Sequence, residues 1–363
     1  MSVEPNMNGR GNGLAEQAPD ADQTILVAGG AGYIGCVLVP KLVERGYRVR
    51  LLDRMYFGEQ GLDAVRDKIE TVVADVRDIP ESALDGVDGV INLSGLSNDP
   101  TAEFDPEANW QMNAVATETL GQMCAKRGID RYVFASSCSL YDGLPPGMHD
   151  EDAPIEPRAA YATFKRYGEE ALLKLADAGD LTPVLLRNGT VYGYSPRMRF
   201  DLVVNTFVKD ALLTGKLLLH GGGWMWRPLV DVRDVADAMI AAYEAPAEKV
   251  RGQIFNVLHS NYQIRELAMI VAGSVQLVTG RAIELEEVPA PKLTRDYECS
   301  NAKLSVTLGF IPRHSVLEAV TDLLDRVGGA SPAELTDPRC YNIRWLELMN
   351  ELKPSLERFA SVL

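Results

Sequence analysis

Short apolar runs alternate with segments of helical spacing along the first half of the chain. Residues 24–30 form an apolar run that ends in glycines, residues 33–46 have helical apolar spacing, and residues 47–53 form a second apolar run. This order predicts a strand, a helix and a strand. Further apolar runs lie at 71–76, 89–95, 131–137 and 182–189, and further helical segments at 113–127 and 161–176. Because buried runs between amphipathic helices are typical of parallel sheets, we predict an α/β fold with a doubly wound parallel sheet.

The pattern becomes less regular beyond residue 190. Helical spacing recurs near residues 201–214 and 232–245, and residues 252–257 are predicted to form a strand. This region is large enough for a second, smaller domain of mixed α/β structure. Residues 331–363 have helical apolar spacing, which predicts a helical tail that packs on the chain or contacts a second copy of it.

The charge of the chain argues against extended anionic partners. The 363 residues are 46% hydrophobic and 24% charged, and 36 Lys and Arg stand against 51 Asp and Glu, a formal net charge of −15. A protein of this charge is poorly suited to hold a nucleic acid or an anionic membrane along its surface. A small anion in a pocket is compatible with it, because helix N-termini supply local donors.

Cysteine and histidine occur without the spacing of a metal site or a disulfide framework. The five cysteines include no CxxC pair and the four histidines no HExxH pair. No stretch is long and apolar enough to span a bilayer, and residues 1–22, rich in Gly, Asn, Asp and Glu, lack the pattern of a signal peptide. We therefore expect a cytoplasmic protein without a metal and with a disordered leader at residues 1–22.

Three glycines stand where the first predicted strand meets its helix. The spacing of Gly29, Gly32 and Gly35 lets the backbone turn tightly and approach a pyrophosphate, at a helix N-terminus that favours anions. Asp53 ends the second predicted strand, where a carboxylate can accept hydrogen bonds from ribose hydroxyls and would repel a 2′-phosphate. The combination predicts a Rossmann-type dinucleotide site that prefers NAD to NADP.

A tyrosine and a lysine lie four residues apart on a predicted helix. Tyr161 and Lys165 therefore share one face, where the ammonium group can lower the pKa of the phenol toward neutrality. Ser137 ends the preceding strand, at the edge where parallel sheets bind ligands. We expect Tyr161 to act as general base or acid on a substrate oxygen that Ser137 also contacts.

These residues stand in the order and approximate spacing found in the extended short-chain dehydrogenase/reductase family. The motifs that carry the resemblance are GGAGYIG, Asp53, VVADVRD, NLSGLS, NWQMNAVAT, SSCSLY and YATFK. Residues 24–327 resemble the nucleotide-sugar epimerases, dehydratases and reductases of this family. The resemblance implies that Ser137, Tyr161 and Lys165 are catalytic and that Tyr161 and Lys165 also contact NAD. It implies further cofactor contacts at Tyr33, Ile34, Asp75, Val76, Leu93, Ser94, Gly95, Asn113 and Asn188.

The resemblance also implies a nucleoside-diphosphate sugar as substrate. The positions implied to bind it are Ser97, Ser137, Thr190, Asn205, Arg227 and Arg295, of which the two arginines would hold the diphosphate. The segment RNGTVYG departs from the family's LRYFNVYG, since Asn188 replaces an aromatic residue and Thr190 an asparagine. The loop residues Arg197, Arg199, Trp224 and Trp226 either recognise an unusual sugar or support their loops, and loop support is the expectation.

The resemblance assigns the domains and an assembly. Residues 23–187 are expected to form the NAD-binding Rossmann domain, with residues 229–258 packing back onto it. Residues 188–228 and 259–330 are expected to form the substrate domain, and residues 331–363 the helical tail. A homodimer is implied, with helices near Asn113 and Tyr161 at its interface.

The residues that follow Ser137 distinguish between the reactions that members of the family catalyse. The 4,6-dehydratases carry an Asp-Glu pair there, whereas this chain has Cys138 and Ser139. Enzymes that epimerise at C3 or C5 place a cysteine at the position of Ser139, and Cys138 is expected to be a packing residue. We therefore predict epimerisation at C4 through a 4-keto sugar. The alternatives are a reductase of 4-keto sugars, a C3/C5 epimerase and an NAD-binding scaffold without catalysis.

Overall fold

The computed structural model describes residues 22–290 and 295–360, without the side chains of residues 355–360. The predicted leader lies outside these residues except for Asp22. The strands are β1 (Thr24–Ala28), β2 (Arg48–Asp53), β3 (Ile69–Val73), β4 (Gly89–Asn92), β5 (Arg131–Ser137), β6 (Met148–His149), β7 (Thr182–Asn188), β8 (Thr190–Tyr192), β9 (Lys216–His220), β10 (Trp226–Asp231), β11 (Gln253–Val257), β12 (Ser260–Gln263), β13 (Glu284–Val288) and β14 (Glu298–Cys299).

The α-helices flank and connect these strands. They are α1 (Gly35–Glu44), α2 (Asp99–Phe104), α3 (Pro106–Trp110), α4 (Ala116–Arg127), α5 (Ala160–Ala178), α6 (Val203–Leu213), α7 (Val232–Glu244), α8 (Ala247–Val250), α9 (Ile264–Thr279), α10 (Ala302–Leu308), α11 (Val316–Val327), α12 (Pro332–Leu335) and α13 (Asn342–Ala360). Short 3₁₀ turns lie at Gln60–Leu62, Arg66–Lys68, Glu81–Leu84, Cys138–Tyr141, Gly221–Gly223 and Pro338–Cys340, and a π-helical turn at Gln111–Val115.

Seven parallel strands form the main sheet, in the order β11-β7-β5-β4-β1-β2-β3. The inner strands β4 and β7 are buried throughout, whereas the edge strand β3 exposes 70% of Val73. One apolar cluster packs the sheet against α1 and α7, and another packs its opposite face against α4 and α5. The predicted Rossmann-type α/β fold is confirmed.

The chain changes direction in the sheet between β1 and β4. Strand β1 pairs with β2 on one side and with β4 on the other. The connections that follow these strands therefore diverge, which opens a crevice at their carboxyl ends. Residues that follow β1, β2, β4 and β5 face this crevice, so the fold brings the predicted motifs to one edge.

The remaining elements build a third apolar cluster beside this edge. Helices α6, α9 and α11 pack together over strand β9, which pairs with β13, while β8, β10 and β12 form a three-stranded sheet. Between them, α7 and β11 return to the main sheet, where β11 pairs with β7. The proposed domain boundaries themselves stay predictions.

The tail is helical and lies against the rest of the chain. Tyr341 packs against the apolar cluster of the second part, and Leu346 packs against the cluster of the main sheet. The segment from Tyr341 into α13 is thus in contact with both parts of the protein. Among residues 22–290 and 295–360, no helix is long and apolar enough to cross a membrane. No group of three or more His, Cys, Asp or Glu in these ranges is placed to hold a metal ion.

Candidate active site

A single cleft at the carboxyl edge of the main sheet collects most of the predicted site residues. All of the predicted cofactor residues line it: Gly29, Gly32, Tyr33, Ile34, Gly35, Asp53, Asp75, Val76, Leu93, Ser94, Gly95, Asn113, Tyr161, Lys165 and Asn188. Of the predicted substrate residues, Ser97, Ser137, Thr190 and Arg295 line the same cleft. Asn205 and Arg227 do not.

The glycine turn after β1 leaves no room for side chains. Gly29 has a φ of +77°, and a Cβ atom built on it would lie 2.8 Å from the backbone of Ser94. A Cβ atom on Gly35 would lie 2.2 Å from the carbonyl oxygen of Gly30. The turn is therefore closed tightly on β4 and on itself, which leaves the backbone at the start of α1 open to the cleft.

Two aspartates lie at the β2 and β3 side of the cleft. Asp53 accepts hydrogen bonds from the backbone amides of Ala31, at 3.0 Å, and Met55, at 2.8 Å. Burial raises the pKa of Asp53, and these hydrogen bonds oppose that rise. Asp75 binds Arg77 and Arg54, each at 2.6 Å. Burial opposes the charge of Asp75, but the hydrogen bonds from these arginines outweigh burial and hold its pKa well below the usual range.

Ser137 and Tyr161 lie next to each other at the end of β5, and both line the cleft. Ser137 Oγ accepts a hydrogen bond from the amide of Ser139 at 3.1 Å, which leaves its own O–H free to donate to the phenol oxygen. Lys165 Nζ donates to the carbonyl oxygen of Ala135 at 3.0 Å and lies 5.9 Å from the centre of the Tyr161 ring. The structure therefore brings the three predicted catalytic side chains together.

The pKa values differ from the expectation drawn from helix spacing. Burial raises the pKa of Tyr161 to about 12, while Arg199 and the hydrogen bond from Ser137 oppose the rise. Burial also lowers the pKa of Lys165 to about 7, against the influence of Glu169. The physical reason is that burial disfavours both charged forms, and the ammonium group points at a carbonyl oxygen rather than at the phenol.

A buried ion pair supports the catalytic helix from behind. Glu169, one turn beyond Lys165, binds Arg187 of β7 at 2.7 Å, and both side chains are almost fully buried. Glu169 also accepts a hydrogen bond from Ser136, and Arg187 donates one to Tyr141. Because each charge is paired and hydrogen-bonded, the network fixes α5 against β5 and β7.

Two buried amide oxygens on the cleft wall have no hydrogen-bond partner in the described chain. They are Asn113 Oδ1 and Asn188 Oδ1. Asn188 stands beside Ser137 in the sheet, and Asn113 faces Gly95. Buried polar atoms are rarely left unpaired, so these oxygens fit the donors of a polar ligand. Together with the glycine turn and Asp53, they fit a dinucleotide.

The two predicted diphosphate arginines are placed differently from each other. Arg295 lines the cleft, where it binds Asp99 and lies 3.7 Å from Asp142. Arg227 lies behind it and donates to the carbonyl oxygens of Trp226, at 2.7 Å, and of Arg295. Its guanidinium is turned onto the backbone of the segment that carries Arg295, and its predicted contact with the diphosphate stays a prediction.

Asn205 is also placed behind the wall rather than on it. Its side chain is fully buried, and its amide group bonds to the backbone of Gly193 and Arg199 and to the hydroxyl of Tyr33. The amide therefore holds the loop after β8, and its predicted contact with the nucleotide stays a prediction.

Several residues of the cleft wall are not among the site residues predicted from the sequence. Arg197 and Arg199, expected to support their loop, line the cleft and are nearly buried. Tyr56, Phe57, Tyr297 and Asn342 line it as well. Arg197 and Arg199 could have been recognised from the sequence, because two arginines stand close together in a chain of net charge −15. No sequence pattern marks Asn342, which lies in the tail.

Comparison with known proteins identifies the family of the chain. Residues 25–257 match the family described as NAD dependent epimerase/dehydratase. The chain belongs to this family. Its membership in the wider short-chain dehydrogenase group, and NAD as its cofactor, are confirmed, and the prediction that it is an enzyme is confirmed at the level of the epimerase/dehydratase family.

Individual relatives carry more than one activity. The UDP-glucose 4-epimerase of Mycolicibacterium smegmatis is 30% identical over 311 residues, which cover 83% of this chain and 97% of that protein. A UDP-N-acetyl-alpha-D-glucosaminuronate decarboxylase of Bacillus cytotoxicus is 29% identical over 286 residues, 74% of this chain and 84% of that protein. The solved structure of Thermus thermophilus UDP-glucose 4-epimerase in complex with NAD is 27% identical, has a TM-score of 0.74, and is covered completely by 85% of this chain.

Proposed function

We propose that this member of the NAD dependent epimerase/dehydratase family is a UDP-sugar 4-epimerase. The observation that carries the proposal is the adjacent pair of Tyr161 and Ser137 at the catalytic end of the cleft, with no carboxylate pair after Ser137. Among the described cleft residues, the carboxylates are Asp53 and Asp75, both at the β2 and β3 side. The catalytic end therefore offers proton transfer at one oxygen, which is the requirement of a 4-epimerase.

Each side chain has one task in this proposal. Tyr161 takes the proton of the C4 hydroxyl and returns it, and Ser137 donates a hydrogen bond to the same oxygen as it becomes a carbonyl. Lys165 holds the nicotinamide ribose, and Asp53 holds the adenosine ribose. Bound NAD supplies a hydride acceptor and a positive charge that favours the tyrosinate. The cleft would have to let the 4-keto sugar turn, so that its other face is presented to the cofactor, while Tyr161 and Ser137 keep hold of its C4 oxygen.

The surroundings of Arg199 favour a neutral sugar over a uronic acid. Its Nε and Nη2 donate to Asp201 at 2.8 and 3.0 Å, and its Nη1 donates to Ser97 at 2.7 Å. This guanidinium, whose field reaches Tyr161, is thus already neutralised by a carboxylate. A sugar carboxylate at Arg199 would have to compete with Asp201, so UDP-glucose is the first substrate to test.

The test is incubation of the purified chain with UDP-glucose and, separately, with UDP-glucuronic acid, followed by chromatography and mass spectrometry. We expect UDP-glucose to give its C4 epimer at unchanged mass, without net formation of NADH. Loss of carbon dioxide from UDP-glucuronic acid would identify a decarboxylase, and loss of water from UDP-glucose a dehydratase. Stoichiometric oxidation of NADH with a 4-keto sugar would identify a reductase, and bound NAD without turnover a scaffold.

Cys138 separates this proposal from a C3/C5 epimerase. It is 1% exposed, and its Sγ contacts the carbonyl oxygen of Arg187 at 3.0 Å. We expect the variant Cys138→Ala to keep its rate within a few-fold, far from the 10²–10⁴-fold loss that follows removal of a general acid or base. Steady-state rates measure this, with the equally buried Cys124→Ala as the matched control. A hundredfold loss confined to the Cys138 variant would contradict the assignment.

The assembly and location also stay proposals. The aromatic rings of Trp110, Phe164 and Tyr167 cluster where helices near Asn113 and Tyr161 meet, with 5.3 and 4.8 Å between ring centres. This cluster is compatible with the proposed homodimer. The cytoplasmic location rests on the cysteine pattern alone.

A further inference from the structure

The C-terminal segment reaches the cleft from outside the residues that match the family. The backbone amide of Asn342 donates to Asp201 at 3.2 Å, on the wall formed by the second part of the chain. Three residues later, Trp345 Nε1 donates to the carbonyl oxygen of Tyr56, and Leu346 packs on the main-sheet cluster. Helix α13 therefore bridges the two walls of the cleft.

The side chain of Asn342 faces the cleft and is 6% exposed. Its Oδ1 accepts a hydrogen bond from Arg197 Nη2 at 2.6 Å, and its Nδ2 lies 3.3 Å from Ser97 Oγ. A neutral amide that accepts a hydrogen bond from a guanidinium group holds that group in position and leaves the positive charge of the guanidinium uncancelled. Asn342 therefore positions a cation that keeps its full attraction for an anion.

Arg197 is a buried cation without a carboxylate partner among the described residues. It is 7% exposed and lies 3.6 Å over the ring of Phe57, and its Nε has no hydrogen-bond partner. Burial, with the nearby charge of Arg199, lowers the pKa of Arg197 to about 9. A buried cation without a carboxylate partner lowers the stability of the fold. The presence of such a cation on the wall of a cleft therefore points to an anionic ligand.

The neighbours of Arg197 indicate at which end of the cleft it lies. Two residues before Arg197, Ser195 Oγ donates to the carbonyl oxygen of Tyr33 in the glycine turn at 2.7 Å. The backbone amide of Arg197 and the thiol of Cys36, which follows Gly35 at the start of α1, both lie next to Gly61. The charge of Arg197 also acts on Asp53 at the end of β2. Arg197 therefore stands beside the glycine turn, where backbone amides already favour a phosphate.

We propose that the C-terminal segment completes the cofactor site: Asn342 holds the guanidinium of Arg197 against the diphosphate of NAD, and α13 straps the cleft closed over it. The strap lies outside the family match at residues 25–257. The proposed role of the strap rests on the proposed function and deepens it. An epimerase uses the same bound NAD again in each turnover, so slow release of NAD favours its activity.

The test compares NAD binding to the full chain and to the variants Asn342→Ala and Asn350→Ala. Asn350 lies on the same helix, is exposed and does not line the cleft, so it is the matched control. Equilibrium dialysis gives the Kd for NAD, stopped-flow displacement gives its release rate, and UDP is titrated separately. We expect Asn342→Ala to weaken NAD binding and speed its release about tenfold or more, the effect of losing a hydrogen bond to a charged group. The control and UDP binding should change less than twofold.

Two results would overturn the inference. One is unchanged NAD binding by a folded Asn342→Ala, and the other is a loss confined to UDP, which would assign Arg197 to the substrate diphosphate. If Asn342→Ala fails to fold, hydrogen exchange of the wild-type chain decides: backbone amides of α13 should gain protection when NAD binds, and no gain refutes the strap. The measurements of NAD binding and of hydrogen exchange need no sugar. If they give the results expected here but the chain does not epimerise UDP-glucose, only the proposed function is rejected.

Discussion

Replacing Tyr161 by phenylalanine is expected to lower the rate of epimerisation about 10²–10⁴-fold, the range for loss of a general acid or base. The ring stays buried in the same pocket, but the phenol oxygen beside Ser137 is gone. The C4 hydroxyl then has no group to take its proton as hydride leaves. Initial rates at saturating UDP-glucose measure the effect, and NAD content measured in parallel shows that the cofactor site is intact.

The matched control is Tyr167→Phe on the same helix. Its hydroxyl bonds to Glu118 at 2.9 Å, on the outer side of α5 and away from the cleft. This variant should keep its rate within about twofold, since only an exposed hydrogen bond is lost. A rate within about tenfold of the wild type for Tyr161→Phe would place the base elsewhere.

The parts of the site that sequence predicted are those fixed by local order along the chain. A glycine turn after a buried strand, an acidic residue at the end of the next strand, and a serine at the end of β5 all meet because parallel strands end at one edge. The spacing of Tyr161 and Lys165 likewise fixes their common helix face. These relations follow from strand and helix geometry alone, so Gly29, Asp53 and Ser137 could be placed without coordinates.

The parts that sequence did not predict depend on contacts between distant segments. Arg197 and Asn342 meet across 145 positions, and neither lies in a motif. Asn205 was assigned by likeness, but the direction of its side chain is set by the loop after β8, which it ties to Tyr33. The pKa values of Tyr161 and Lys165 depend on burial, which helix spacing does not report.

Burial of Lys165 predicts a dependence of stability on pH in the chain without NAD. Its pKa is about 7 in the folded chain and about 10.4 for an ordinary exposed lysine. Between these values the unfolded chain binds the additional proton, so folding stability rises with pH. The cost of the buried charge is fully present below about pH 7 and is gone above about pH 10.

The variant Lys165→Met removes this titration and nearly keeps the volume. Relative to the variant, the wild type should gain a few kcal/mol of unfolding free energy between pH 6 and pH 9.5. Urea unfolding of the NAD-free proteins at several pH values measures this difference, and the exposed Lys174→Met on the same helix should show no such trend. A constant difference between wild type and Lys165→Met across this range would show that the lysine keeps an ordinary pKa. The variant should also lack activity at every pH, because the group that destabilises the free chain is the one that holds the nicotinamide ribose in the proposed mechanism.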